Sequence, residues 1–224
     1  FTDCYEGMCN SGVLDKKRRD NIKILDEHID HMFFLNPDLG KFLPVDKSTF
    51  LPYSVARWDE LETRSYHLSN KKLRIVHAPT NRVTKGSAFL QDAIERINKK
   101  EELIELVLVE KMPYDKAIEV YQSADLIVDQ LLIGWYGAFA VEAMKMGKPV
   151  LCYVNMQDAK LIPQNMYSEI NSAIINVTPE SIEQKLLEIV ENRELLIKYR
   201  DAALNYVHRW HSPEFVANQV KQYY

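Results

Sequence analysis

The pattern of apolar and polar positions changes near Lys72. Beyond it, short apolar runs alternate with longer stretches of helical period. Runs at 73–77, 103–109, 126–128, 150–154 and 173–176 carry the aliphatic residues expected of strands covered on both faces. Segments 87–97, 114–122, 138–146 and 179–191 repeat apolar residues at helical spacing and predict helices. This alternation implies right-handed crossovers and an α/β fold, a doubly wound parallel sheet. Two further helices are expected at about 193–207 and 213–223. The second has Phe215, Val216 and Val220 as its apolar stripe, extended by Tyr223 or Tyr224.

Residues 1–53 read differently. Segment 15–29 predicts a charged amphipathic helix with Ile22, Leu25 and Ile29 on one face. Segment 31–35 predicts a short strand, and 36–43 a capped helical turn opened by Asn36-Pro37-Asp38. Residues 51–55 read as a linker. One helix and one strand cannot bury a core of their own. Residues 1–53 are therefore expected to be the tail of another domain, and the chain the end of a longer protein. Residues 54–208 then form the main α/β domain, and 209–224 a C-terminal helix.

The most informative stretch is 124–153. It predicts strand, glycine-bearing loop, helix, glycine stop and second strand, the unit of a parallel sheet. The helix at 138–146 is small or apolar except for Glu142 and Lys145, and is expected to be buried all round, with Lys145 and Lys148 facing solvent. An unpaired buried carboxylate is costly, so Glu142 should have a dedicated partner. Gly137 keeps the helix start open, and such a start offers unpaired amides to an anion. An acid near hydroxyls, with an anion at the helix tip, suits a nucleotide sugar.

Composition narrows the partners. An apolar content of 46% supports a sizeable core, and a net charge of −4 argues against a general nucleic-acid or membrane-surface binder. The chain has no apolar run long enough for a transmembrane helix. Cysteine is sparse and odd in number: Cys152 reads as a core residue, and Cys4 and Cys9 lack nearby ligands at zinc spacing. A reduced, cytoplasmic location and no metal site are expected.

The run His77-Ala78-Pro79-Thr80-Asn81-Arg82-Val83-Thr84-Lys85-Gly86 follows the first strand of the sheet. Ligands of open parallel sheets bind at the carboxyl ends of strands. Arg82 and Lys85 thus stand at the expected mouth, where they suit a diphosphate or form a solvated basic loop. His77 either touches a phosphate or sugar or is a hydrogen-bonded near-core residue. Trp135 and Tyr136 either wall a sugar pocket or pack an interdomain cleft. His208 and His211 flank a helix break, where capping or packing is expected. Asp125 should end the preceding helix, and Asp129 lies at a strand's end. The sequence has no dinucleotide fingerprint, no P-loop, no nucleophile elbow and no D-x-D pair.

These motifs resemble a known family. Residues 72–224 are similar to the donor-binding C-terminal domain of GT-B glycosyltransferases, specifically the retaining "glycosyl transferases group 1" family, family four. The resemblance rests on Asn81-Arg82-Val83-Thr84-Lys85-Gly86, on Tyr121-Gln122-Ser123-Ala124-Asp125, and above all on Trp135-Tyr136-Gly137-Ala138-Phe139-Ala140-Val141-Glu142-Ala143-Met144 with Gly147-Lys148-Pro149-Val150. It implies that Lys85 binds the donor diphosphate with Arg82 as its partner. Glu142 matches the second glutamate of the family's E-x7-E motif and would bind the ribose hydroxyls. Gly137 and Ala138 match the loop whose amides approach the phosphates. Asn81, Gly86, Tyr136 and His77 would complete the donor site. Gly134 stands where the first glutamate of the motif belongs. A branch that does without that side chain and a loss of activity are both open.

The resemblance further implies that 1–53 ends the N-terminal, acceptor-binding domain, and that 209–224 packs back toward it. The reaction implied is transfer of a sugar from a nucleoside-diphosphate sugar to an acceptor hydroxyl, in glycan or polysaccharide biosynthesis, with retention and without a metal. The donor is a substrate, and no cofactor is expected. The acceptor is a glycan, lipid or small molecule, and the missing N-terminal domain is where any peripheral membrane contact would arise. A non-catalytic nucleotide-sugar binding module and a GT-B-shaped sugar-nucleotide epimerase are the alternatives.

Overall fold

The computed structural model describes residues 5–7, 12–66 and 72–224, so Cys4 and Cys9 lie outside the described residues. Helix α1 (Gly12–Asp26) begins and ends earlier than the expected 15–29. Ile22 is half-buried but Leu25 is half-exposed, so its apolar face is only partly covered. Strand β1 (Met32–Phe34) pairs in parallel with β2 (Ser48–Phe50), from Met32↔Ser48 to Phe34↔Phe50. Strand β2 is not foreseen by the pattern, because Ser48 and Thr49 give it too little apolar signal. Pro37–Lys41 forms a 3-10 turn between the two strands. Asn36 opens that turn without capping it. Its side-chain oxygen instead accepts the Tyr53 hydroxyl at 2.6 Å.

The main sheet has five parallel strands: β3 (Leu73–His77), β4 (Ile104–Leu108), β5 (Leu126–Val128), β6 (Val150–Cys152) and β7 (Ile174–Asn176). Their order across the sheet is β4-β3-β5-β6-β7. The helices are α2 (Arg82–Lys85), α3 (Ser87–Ile97), α4 (Tyr114–Gln122), α5 (Ala138–Lys145), α6 (Gln164–Ala173), α7 (Ile182–Glu191), α8 (Glu194–Trp210) and α9 (Pro213–Val220). Alternate strand residues point to opposite faces. Leu73, Ile75, Leu126, Val128, Leu151 and Ile175 pack with α3 and α7. Val76, Ile127, Val150, Cys152 and Ile174 pack with α4, α5, α6 and α8. Each fully buried aliphatic side chain of this kind contributes roughly 1.5–3 kcal/mol over leaving it exposed.

The topology fixes where a ligand crevice opens. The chain leaves β3 toward β4 and leaves β5 toward β6, in opposite directions across the sheet. Adjacent strands β3 and β5 thus flank a switch point, and the loops after them bound the crevice.

One helix and one side chain depart from the sequence expectation. Helix α6 is absent from the sequence reading, although Met166, Ile170 and Ala173 form its buried face at helical spacing. Its Asn and Ser residues dilute that signal. Lys148 is buried rather than solvent-facing. Its ammonium donates to the Ala124 carbonyl at 2.9 Å and lies over the Tyr66 ring at 5.5 Å, and burial lowers its pKa. Lys145 is half-buried, with its ammonium 5.3 Å from the Trp58 ring centroid.

Helix α8 runs three residues beyond the expected end at 207. Ser212 accepts the Phe215 amide at 3.3 Å and caps α9. The chain then reaches β1 and β2: the Tyr223 ring stacks on His31 at 3.8 Å, meets Phe33 edge-on at 5.2 Å, and its hydroxyl bonds Thr49 at 2.7 Å. Among the described residues, no helix is long and apolar enough to cross a membrane.

Candidate functional site

The loop after β3 is shaped by two residues. The Asn81 side-chain oxygen accepts the amides of Val83 at 2.9 Å and Thr84 at 3.1 Å, and so starts α2. Gly86 ends α2 at φ 73, a left-handed conformation that disfavours other residues. A Cβ there would also lie 3.0 Å from Leu131 Cβ and 3.1 Å from Leu132 Cγ. The Gly86 amide is already bonded to the Val83 carbonyl at 3.1 Å. Asn81 and Gly86, expected as donor contacts, thus form the turn that presents Arg82 and Lys85.

Lys85 meets the loop after β5. Its ammonium donates to Asp129 Oδ1 at 2.7 Å, and Asp129 Oδ2 accepts the Gly137 amide at 2.7 Å. The Asp129 side chain has no exposed surface, whereas that of Lys85 keeps 13%. The Lys85 carbonyl accepts the Leu131 amide at 3.0 Å. One carboxylate therefore ties together both loops at the switch point. It also moves the open helix start by one residue, because the Gly137 amide is taken. The amides of Ala138 and Phe139, which by helix geometry have no intrahelical acceptor, are those offered to an anion.

Helix α5 is not buried all round, contrary to expectation. Ala140, Val141, Ala143 and Met144 are buried, but Ala138 is exposed and Glu142 half-buried. Glu142 does have a partner: its carboxylate accepts the Tyr114 hydroxyl at 3.0 Å. Burial holds the Glu142 carboxyl above the usual range, and the tyrosine bond offsets this in part. Burial likewise raises the Tyr121 hydroxyl, and the nearby Glu142 charge raises it further. Tyr121 lines a cavity of about 460 Å³ together with Ala78, Pro79, Glu110, Met112 and Ala117. Arg82 bonds one of the lining residues, Glu110, through Nε and Nη2 at 2.8 and 2.5 Å. That arginine is exposed and shares its charge with an acid of its own.

His77 and Tyr136 have their polar atoms engaged within the protein. His77 is wholly buried. Its Nδ1 donates to the Val128 carbonyl at 2.8 Å, and Nε2 accepts the Ser87 hydroxyl at 2.8 Å. Burial lowers its pKa, which keeps the ring neutral. Both nitrogens are engaged, so the near-core role is the one the geometry has. Tyr136 is also wholly buried. Its hydroxyl bonds those of Tyr206 and Nε2 of His211, each at 2.9 Å, while His211 Nδ1 donates to the Tyr53 carbonyl at 2.6 Å. Trp135 stacks on Tyr136 at 4.5 Å and meets Phe50 edge-on at 5.8 Å. These aromatics pack the seam between the sheet domain and residues 32–53.

Gly134 is part of a fixed loop, its carbonyl accepting the Asn155 amide at 2.9 Å. Asp125 does not end α4; it accepts the Arg74 amide at 2.8 Å and secures the edge of β3. The sequence reading missed Asp129 and Tyr114 as site residues. A charge inside the apolar run 126–133 was the available signal for Asp129. Among the described residues, no group of three or more His, Cys, Asp or Glu stands close enough to hold a metal ion.

No known family profile matches this sequence, and no curated protein is similar to it in sequence. Solved structures are similar in fold. TarM superposes with a TM-score of 0.68 at 16% identity over 99% of this chain and 48% of its own, so the chain spans about half the length of TarM. Sucrose-phosphate synthase from Thermosynechococcus elongatus gives a TM-score of 0.69 at 14% identity, over 97% of this chain and 63% of its own. Anabaena HepE, solved in complex with UDP and glucose, gives 0.64 at 11% identity, over 94% of this chain and 68% of its own. The five-stranded parallel sheet with its flanking helices therefore has the fold of one Rossmann-like domain of GT-B enzymes.

Proposed function

We propose that this chain carries the donor site of a retaining, nucleotide-sugar-dependent glycosyltransferase. The observation that carries the reading is that Asp129 ties Lys85 to the start of α5, whose Glu142 lies near Tyr121 in the lining of a cavity of about 460 Å³. The cavity takes the base, Glu142 the ribose hydroxyls, and the helix start with Lys85 the diphosphate. In sugar transfer, negative charge grows on the leaving diphosphate. A fixed ammonium and a helix start aimed at that charge stabilise the transition state more than the ground state. Arg82 joins them by exchanging Glu110 for a phosphate oxygen.

In this reading, residues 1–53 end an acceptor domain, 54–208 hold the donor, and 209–224 return to the first part, as the Tyr223 contacts with His31 and Thr49 support. Cys152 is a free buried thiol, in keeping with a reducing compartment such as the cytoplasm. A thermal-shift screen of UDP, GDP, ADP and their sugars tests donor binding. A ligand at 100 times its Kd should add about 2.7 kcal/mol of stability. No shift with any of them would remove the reading. Transfer by the full-length parent should survive EDTA; activity abolished by EDTA and restored by magnesium would contradict the charge-stabilising role given to Lys85 and α5.

One observation favours a second reading, nucleotide-sugar binding without turnover. Gly134 supplies no side chain where the family has its first glutamate. Donor binding together with no transfer by the parent to glycan, lipid or small-molecule acceptors would select it.

A further inference from the structure

We infer that Asp129 is a positioning residue for the diphosphate, holding the Lys85 ammonium at the start of α5 in an ion pair that stays intact when donor binds. This rests on the donor reading above.

A carboxylate beside an anion site can act in two ways. It can be an internal competitor that must leave before the anion enters, or an anchor for the cation that receives it. The geometry separates them. Asp129 has no exposed side-chain surface, and its two oxygens are bonded to different loops, to Lys85 at 2.7 Å and to the Gly137 amide at 2.7 Å. Leaving would break both bonds and leave a buried charge unpaired. An ammonium carries three protons, so one bond to Asp129 leaves two for a phosphate. The ammonium stands at the start of α5: a Cβ built on Gly137 would lie 3.8 Å from Lys85 Nζ and 3.6 Å from Asp129 Oδ2. A free lysine would have to give up its rotamer freedom on binding, whereas this one has already done so.

The two roles predict opposite signs. Removing a negative charge beside an anion site should by Coulomb's law strengthen anion binding. Removing an anchor should weaken it. The test is calorimetric titration of UDP, pyrophosphate and uridine into wild type, Asp129→Asn, Lys85→Met and the double variant. Asp129→Asn should weaken UDP and pyrophosphate by about tenfold or more, the scale of a charge-assisted hydrogen bond. Uridine affinity should not change. In the Lys85→Met background, Asp129→Asn should no longer weaken UDP, since the residue acts through the lysine. Equal or tighter UDP binding by Asp129→Asn overturns the proposal, as does an undiminished loss without Lys85. If Asp129→Asn fails to fold, Asp129→Glu keeps the charge but displaces the ammonium; it should weaken UDP and spare uridine, and unchanged UDP affinity overturns the proposal. Wild type that binds neither UDP nor pyrophosphate is a separate result, which overturns the donor reading and this inference with it.

Discussion

Two polar networks leave the loop of residues 129–137 in opposite directions. One runs from Asp129 to Lys85 and the Gly137 amide at the mouth of the sheet. The other runs from Tyr136 through Tyr206 and His211 to the Tyr53 carbonyl in the interior. The inner network is neutral and closed. The His211 ring is satisfied on both nitrogens, and burial lowers its pKa to about 4. The outer network is charged and open. Its ammonium and its helix start each have protons left over. A closed neutral network fixes a structure, while an open charged one has capacity for a ligand. The comparison separates Tyr136, which the sequence places in the donor site, from Gly137, its neighbour.

Breaking the inner network should cost the most. His211→Ala removes a buried ring, strips the Tyr53 carbonyl of its donor and opens a cavity, so unfolding free energy should fall by about 3–4 kcal/mol. Urea titration measures it, with UDP affinity unchanged in the folded protein. A loss below about 1 kcal/mol would mean that the seam is not held there.

The same residue makes a pH prediction. His211 titrates near 4 when folded and near 6.5 when unfolded, so the unfolded chain binds the extra proton between those values. Its contribution is fully present above pH 6.5 and is lost as pH falls toward 4, by about 2–4 kcal/mol. His211→Gln should flatten that part of the stability profile, and an unchanged slope would place the titration elsewhere.

At the mouth, Glu142→Gln keeps the shape but loses the charged acceptor. Donor affinity should fall by about 1.5–3 kcal/mol with little change in stability, as titration of the same nucleotide would show. Unchanged donor affinity in a folded variant would return Glu142 to a packing role. Tyr114→Phe is the mildest change. It removes one hydroxyl from a half-buried acid, so donor affinity should shift by about 1 kcal/mol or less. A loss as large as that of Glu142→Gln would mean that Tyr114 itself touches the donor.

Much of this architecture was legible because it is local. The runs at 73–77 and 126–128 became β3 and β5 without change, and 87–97 and 114–122 became α3 and α4. Strand β2 was not legible, since it exists only by pairing with β1. At the site, Glu142 stood out because an acid in an apolar helix is anomalous in one dimension. Asp129 is the same kind of anomaly, but its meaning depends on Lys85, a partner from another loop. The burial of His77 and Tyr136 was hidden for a related reason. Sequence put them beside the mouth, and only the packing of Ser87 and His211 shows which way their polar atoms turn.

The strand order carries a consequence for how this mouth comes into being. Strand β3 pairs with β4 and with β5, and Ile75 and Leu126 are farther apart in sequence than Leu73 and Ile104. The nearer pairing closes the smaller loop and has the lower entropic cost. A chain that has folded only as far as β4 holds Lys85 but lacks both its acid and the helix start. In the donor reading, anion affinity is expected only once β5 and the start of α5 have both docked, and binding of pyrophosphate during refolding would time that event.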